Sequence, residues 1–244
     1  MRNIKLTLQY DGTDFFGWQT QPGFRTVQET LETALGKLTG ERIRANASGR
    51  TDTGVHALGQ VINFYTQTRH APEVLVRAVN AHLPPDIVVT EAVDMPQAFD
   101  ANRDARRKLY RYVIHDGTVP NLFLRRYCCH SRHRLDAAAM RQAANPLHGR
   151  HDFHSFETDW PNRMSSVRTI TQLTVNRLGD WIWIDVEADG FLYNMVRAVA
   201  GTLINVGRGY WPVGRVAEIL AAEDRRQAGP TAPAQGLFLM RVTY

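Results

Sequence analysis

The chain has 244 residues, 43% of them hydrophobic, enough to bury a sizeable core either as one unit or as two halves of ordinary domain size. Charge breaks its apolar stretches every few residues, as Arg197 breaks the run from Phe191 to Ile204, and this excludes a membrane span. The formal net charge of +5 is unevenly placed: Arg103 to Arg134 holds nine Arg or Lys against Asp104 and Asp116, so that segment carries +7 and the remainder −2. A local field of this sign favours a phosphate-bearing partner, although it also fits a solvated face or pairing with acids elsewhere.

In chain order, Ile4, Leu6, Leu8 and Tyr10 alternate with polar residues as a half-buried strand. Met1 to Gly12 therefore lacks the continuous apolar region of a secretory signal, and a cytoplasmic protein is expected. A turn-rich stretch to Phe24 precedes Val27, Leu31, Ala34, Leu35 and Leu38, which lie at the spacing of one helical face. Strands are expected around Ile43 to Ala47, over Gln60 to Thr66 and over Ile87 to Val93, with a helix through Leu75, Val79 and Leu83. The second half repeats this order: a strand over residues 108–115, a helix over 135–147, a hairpin over 167–188 turning at Gly179-Asp180, a helix beginning at Phe191, another from Val213 to Ala222, and a last strand from Leu237 to Val242. The class is α+β in two halves, residues 1–104 and 105–244, with helices covering one face of a mainly antiparallel sheet.

The two cysteines, Cys128 and Cys129, are adjacent, a spacing that rarely allows a disulfide within one chain, so a reducing compartment fits. His148, His151 and His154 lack a Cys or acid motif at ligand spacing, and no metal is expected there. No Walker-type loop or dinucleotide fingerprint offers an anchor for a nucleotide cofactor, so none is expected.

Three segments could carry chemistry. Ser48 to Ala57 (SGRTDTGVHA) sets Arg50, Asp52 and two hydroxyls between glycines after a strand, where small residues let a substrate approach; by composition, Thr51-Asp52-Thr53-Gly54 is equally a good turn. Lys108 to Tyr112 interleaves aromatic and basic residues, with Tyr110 and Tyr112 on one strand face and Leu109 and Arg111 on the other. Arg197 flanks the apolar stripe of its helix, where a charge calls for an acidic or phosphate partner or must reach out to solvent.

Together these segments resemble the tRNA pseudouridine synthase A family. The resemblance runs nearly end to end, through Tyr10-Asp11-Gly12-Thr13, Phe16-Gly17-Trp18-Gln19, Val27-Gln28-Glu29, Gly49 to Ala57, Phe99-Asp100-Ala101, Lys108 to Tyr112, Gly149 to Phe153, and Phe191 to Arg197. Leu109 is a departure, since relatives often carry a polar or basic residue there. The resemblance implies two ferredoxin-like (RRM-like) halves joined into one long sheet with a central basic cleft, a homodimer, and conversion of uridine to pseudouridine at positions 38, 39 and 40 in the anticodon stem-loop of tRNA, without cofactor. It assigns Asp52 as the nucleophile, Arg197 as its ion-pair partner and Tyr110 as the ring that stacks on uracil and can act as a base. Arg50 and Arg111 join Tyr110 as substrate-binding residues. Asp52 would act either by forming an adduct or by removing a ribose proton. The alternative is a non-catalytic RNA-binding protein of tandem ferredoxin-like units.

Overall fold

A computed structural model describes residues 1–158 and 165–244. The chain divides into two compact units, the first formed by Met1–Arg106 with Phe238–Tyr244 and the second by Arg107–Leu237. Among the described residues there are ten strands and five α-helices, an α+β fold with mainly antiparallel pairing.

The first unit begins with β1 (Arg2–Tyr10), whose Ile4, Leu6, Leu8 and Tyr10 are buried as their alternation requires. Helix α1 (Val27–Thr39) starts where the Thr26 side chain accepts from the Glu29 amide and stops at Gly40, whose φ of 71° is open to glycine. Strand β2 is only Asn46–Ala47, and β3 (His56–Thr66) starts four residues before the expected Gln60. Helix α2 (Pro72–Asn80) has proline in its first turn, and β4 (Ile87–Met95) completes the unit's βαββαβ sequence. The order β4-β1-β3-β2, antiparallel throughout, is that of a ferredoxin-like unit. Leu31, Leu35, Leu75 and Val79 of its helices join the strand residues in the core.

The second unit contains β5 (Arg107–His115), β6 (Cys129–His130), α3 (Ala137–Ala144), β7 (Gly149–Asp152), β8 (Val167–Leu178), β9 (Trp181–Ala188), α4 (Met195–Gly207) and α5 (Arg215–Ala222). The strands run β5-β9-β8-β7, each pair antiparallel, and β6 pairs in parallel with β5. The hairpin turns at Gly179-Asp180 as expected, and Ile182, Ile184, Val186 and Ala188 share a buried face. Helix α4 begins at Met195 and not at Phe191, because Asn194 takes a left-handed φ of 61° that no helix can include. Cys128 is buried and Cys129 half-buried, both as free thiols, and burial pushes the Cys128 thiol up to about 11.

The last strand, β10 (Leu237–Thr243), was expected with the second half. Phe238–Tyr244 instead belongs to the first unit, because β10 runs parallel to β3 with Phe238 opposite His56 and Leu239 opposite Ala57. No helix among the described residues is long and apolar enough to cross a membrane.

Candidate active site

Between β2 and β3, residues 48–55 follow no regular structure, and hydrogen bonds from neutral groups fix them in place. Ser48 donates its amide to Val61 O at 2.8 Å and its hydroxyl to Gln60 Oε1 at 2.7 Å. Gln60 Nε2 then donates to Gly49 O at 2.9 Å. The buried Thr51 hydroxyl lies 2.8 Å from the Tyr10 phenol, and Thr51 O accepts from the Trp18 amide at 3.0 Å. Asp52 O accepts from the Val55 amide at 3.1 Å, closing a turn through Thr53 and Gly54, whose φ is 77°. The turn that composition suggested is therefore real. It carries a half-buried Asp52 and leaves Arg50 exposed two residues earlier.

The loop after β1 backs this turn. Gly17 has a φ of 80°, and a methyl there would stand 2.8 Å from Thr51 O and 3.2 Å from the Asp52 carbonyl carbon. A methyl on Gly12 would overlap Val55 O. Only glycine permits so close an approach of the two backbones. The Gly54 amide donates to Phe15 O at 3.4 Å, while the Val27 and Gln28 amides, otherwise unpaired at the start of α1, donate to Gly17 O and Trp18 O. His56 is buried and stacked on Phe238 at 4.7 Å, with Nδ1 3.0 Å from the Gly12 amide and 3.1 Å from Asp11 Oδ1. It ties the loop to the sheet. Burial pushes the Tyr10 phenol up to about 12, so it stays neutral beside Thr51.

The second unit holds the other expected residues. Tyr110 and Tyr112 share the buried face of β5 but differ in role. Tyr112 donates to Pro233 O at 2.8 Å with no exposed surface, a core residue. Tyr110 is 8% exposed and meets Phe191 edge to face at 5.0 Å, so most of its ring is covered by the protein. Phe191 leads into α4, whose first turn carries Arg197. That guanidinium donates from Nε to Ala232 O at 2.8 Å and from Nη1 to Asn194 Oδ1 at 2.9 Å, which orients it firmly.

Arg111 lies opposite Asp185 of β9 and clasps it with Nε and Nη2 at 2.7 and 2.8 Å. The hydrogen bonds to this carboxylate raise the pKa of the guanidinium further. The basic segment is similarly tempered, because Arg103, Arg107 and Arg134 also sit in ion pairs, with Asp104, Glu187, and Asp116 and Asp180 respectively. Two of the closely spaced histidines contact backbone: His148 Nε2 lies 3.1 Å from Leu173 O, and His151 Nε2 lies 2.6 Å from His148 O.

Sequence reasoning gave no framing role to Tyr10, Thr51 or Gln60. Tyr10 and Thr51 stand in motifs that carry the resemblance, whereas nothing in the sequence marks Gln60, which acts from the middle of a strand.

The family profile described as tRNA pseudouridine synthase matches residues 7–102 and 143–244. The chain is 48% identical over 243 residues to tRNA pseudouridine synthase A of Moorella thermoacetica, with 99% of each chain covered. It is 45% identical over 244 residues to that of Thermoanaerobacter sp. (strain X514) and 46% identical to that of Pelobacter propionicus, with 100% of both chains covered in each case.

Proposed function

Because this chain belongs to the tRNA pseudouridine synthase family, we propose that it converts uridine to pseudouridine at positions 38, 39 and 40 of tRNA by flipping the nucleotide out of the stem and attacking its sugar with Asp52. The reaction breaks the bond from C1′ to N1, turns the uracil and joins C1′ to C5, while the C5 proton is lost and N1 gains one. There is no net oxidation or hydrolysis, so the chemistry itself calls for no cofactor. A paired uridine cannot present its sugar to a side chain, and extrusion costs a few kcal/mol in lost stacking and pairing.

One observation carries this reading: Asp52 stands half-buried on a turn whose backbone bonds to Trp18, Phe15 and Gln60 and whose Thr51 hydroxyl meets the Tyr10 phenol. The turn that bears the carboxylate is thus fixed before substrate arrives. Arg197 is proposed to pair with Asp52 and keep it ionised; contact between unit charges is worth about 4 kcal/mol at an effective dielectric near 20, before desolvation is subtracted. Its two fixed donors support a positioning role. Tyr110 is proposed to stack on the uracil and to help remove the C5 proton. Arg50, exposed beside the turn, is proposed to hold the RNA backbone near the flipped nucleotide. The protein is further proposed to work in the cytoplasm as a homodimer in which one tRNA contacts both subunits, which sedimentation with and without tRNA checks.

The deciding experiment is release of tritium from C5-labelled uridine in unmodified tRNA. Wild type is expected to turn over without added metal, and Asp52→Asn to fall to background. Retention of most of the rate by that variant removes Asp52 from the mechanism. Tight tRNA binding by wild type without any release would identify a binding protein instead.

A further inference from the structure

The loop that backs the Asp52 turn buries Phe15 and Trp18 at 2% and 3% exposure yet leaves Phe16 and Phe24 at 42% and 47%. These two rings lie nearly parallel, with centroids 4.1 Å apart and planes 20° from each other. Each covers one face of the other, so their exposure falls on the remaining faces and edges. The pair is held by built structure: the Phe16 amide donates to Arg25 O at 2.8 Å, the Phe24 amide to Gln21 O at 3.2 Å, and Arg25 lies 4.0 Å over Phe15 while clasping Asp86. Phe16 also sits between the two points at which this loop touches the Asp52 turn, namely Phe15 O on the Gly54 amide and Gly17 against Thr51 and Asp52.

We infer that Phe16 and Phe24 form a stacking site for an unpaired nucleobase of the RNA, one other than the target uracil. The inference rests on the proposed function. A nucleotide extruded toward Asp52 leaves its neighbour in the stem without a stacking partner, and an aromatic face replaces that partner whatever the base, because every base has a π-face. The stacked pair is fixed to the same frame as Asp52, so a base resting on it is registered with the carboxylate. Two apolar rings exposed together beside a catalytic turn have no packing role that would account for their exposure. They are positioning residues, since the reacting atoms are met by Asp52.

The test compares Phe24→Ala, Phe24→Leu, Phe24→Trp and Phe16→Ala as full chains, reading dissociation constants and tritium release with an anticodon stem-loop. The stem-loop carries 2-aminopurine beside the target uridine. For the two alanine variants, affinity is expected to fall about tenfold, as loss of one base–aromatic stack predicts, with the loss concentrated in KM over kcat. The 2-aminopurine signal change on binding is expected to shrink with it. Phe24→Trp should retain both properties and Phe24→Leu should not, which separates stacking from apolar packing even where an alanine variant folds poorly. Equal behaviour of Leu and Trp, or unchanged affinity in folded alanine variants, overturns the inference. So does conversion of a dimer to a monomer with RNA affinity intact, which would reassign the rings to a subunit contact. Wild type that binds the stem-loop without turnover defeats the proposed function separately from this one.

Discussion

Asp52 and Asp116 each stand in an irregular segment beside a strand, and different contacts fix the chain around them. Asp52 in the first unit is fixed through its main chain: the Thr51 carbonyl, the Asp52 carbonyl and the Gly54 amide all bond to neighbours, and the side chain is half-buried. Asp116 in the second unit, just past β5, is fixed through its carboxylate. Its Oδ1 accepts from Arg177 and Arg134 at 3.0 and 3.2 Å, its Oδ2 from Arg177 and the Leu135 amide at 2.6 and 2.9 Å, and its side chain has no exposed surface. Burial alone would raise its pKa, but the Arg177 and Leu135 hydrogen bonds outweigh burial and hold it below the usual carboxylate range. The four donors on its two oxygens make Asp116 a residue that serves the fold, whereas what the contacts fix around Asp52 is the backbone that carries it.

The sharpest way to break this comparison is to neutralise each acid in turn. Asp52→Asn is expected to remove turnover in protein that still folds. Asp116→Asn is expected to cost about 3 kcal/mol, at the low end for a broken buried pair because Arg134 is 57% exposed, with turnover per folded molecule retained. Calorimetry alongside tritium release checks both. The reverse pattern would mean that the roles of the two acids have been exchanged.

A smaller effect tests whether the main-chain clamp matters to Asp52. Gly17→Ala forces a methyl to within 2.8 Å of Thr51 O at a positive φ, so the turn must shift or the loop must strain, at roughly 1–3 kcal/mol. Turnover should fall by more than the loss of folded protein explains. A variant that loses stability alone would show that the clamp holds the fold without aiming the carboxylate.

Alkaline pH reads the same frame through Tyr10. Its folded pKa of about 12 lies above the unfolded value near 10, so its contribution is complete below about pH 10 and is lost as pH rises toward 12. Relative to Tyr10→Phe, wild type should lose about 1.4 kcal/mol per pH unit inside that window, as seen in urea unfolding from pH 8 upward. At neutral pH the order is reversed, since the variant lacks the hydrogen bond to Thr51 and should be about 1 kcal/mol weaker. Parallel curves would show that the phenol is not buried in solution.

How much of this was legible depends on whether the determining contact is local. Strands such as β1 and β9 and helices such as α1 announce themselves by period, because one face of each meets the core. Strand β3 starts earlier than expected because, from Gly59 to Phe64, it is buried without alternation. The brief β6 and β7 are too short to show a period. The placement of β10 follows from its pairing with β3, far away in sequence, and the left-handed Asn194 is fixed by tertiary contacts that include Thr158. At the site, the resemblance pointed to the Asp52 segment, but the reason for Gly12 and Gly17 appears only when the second backbone is in view. The Arg111–Asp185 pair is a matter of strand register, which residue types alone do not reveal.

That pair supports the smallest prediction and carries the comparison over to the cations. Arg50 is exposed beside the Asp52 turn, whereas Arg111 has two of its three guanidinium nitrogens on Asp185. If phosphate contacts come from cations that the fold leaves to solvent, Arg50→Gln should reduce the dependence of log affinity on log salt by close to one contact, a slope change of about 0.9. Arg111→Gln should change the slope by less than about half of that and stability by under ~1 kcal/mol, because a pair whose arginine is 37% exposed is weakened by water. Titrations of tRNA at several salt concentrations separate the two. A full unit lost with Arg111→Gln would mean that RNA draws this guanidinium away from Asp185, making the ion pair a resting state of the substrate surface.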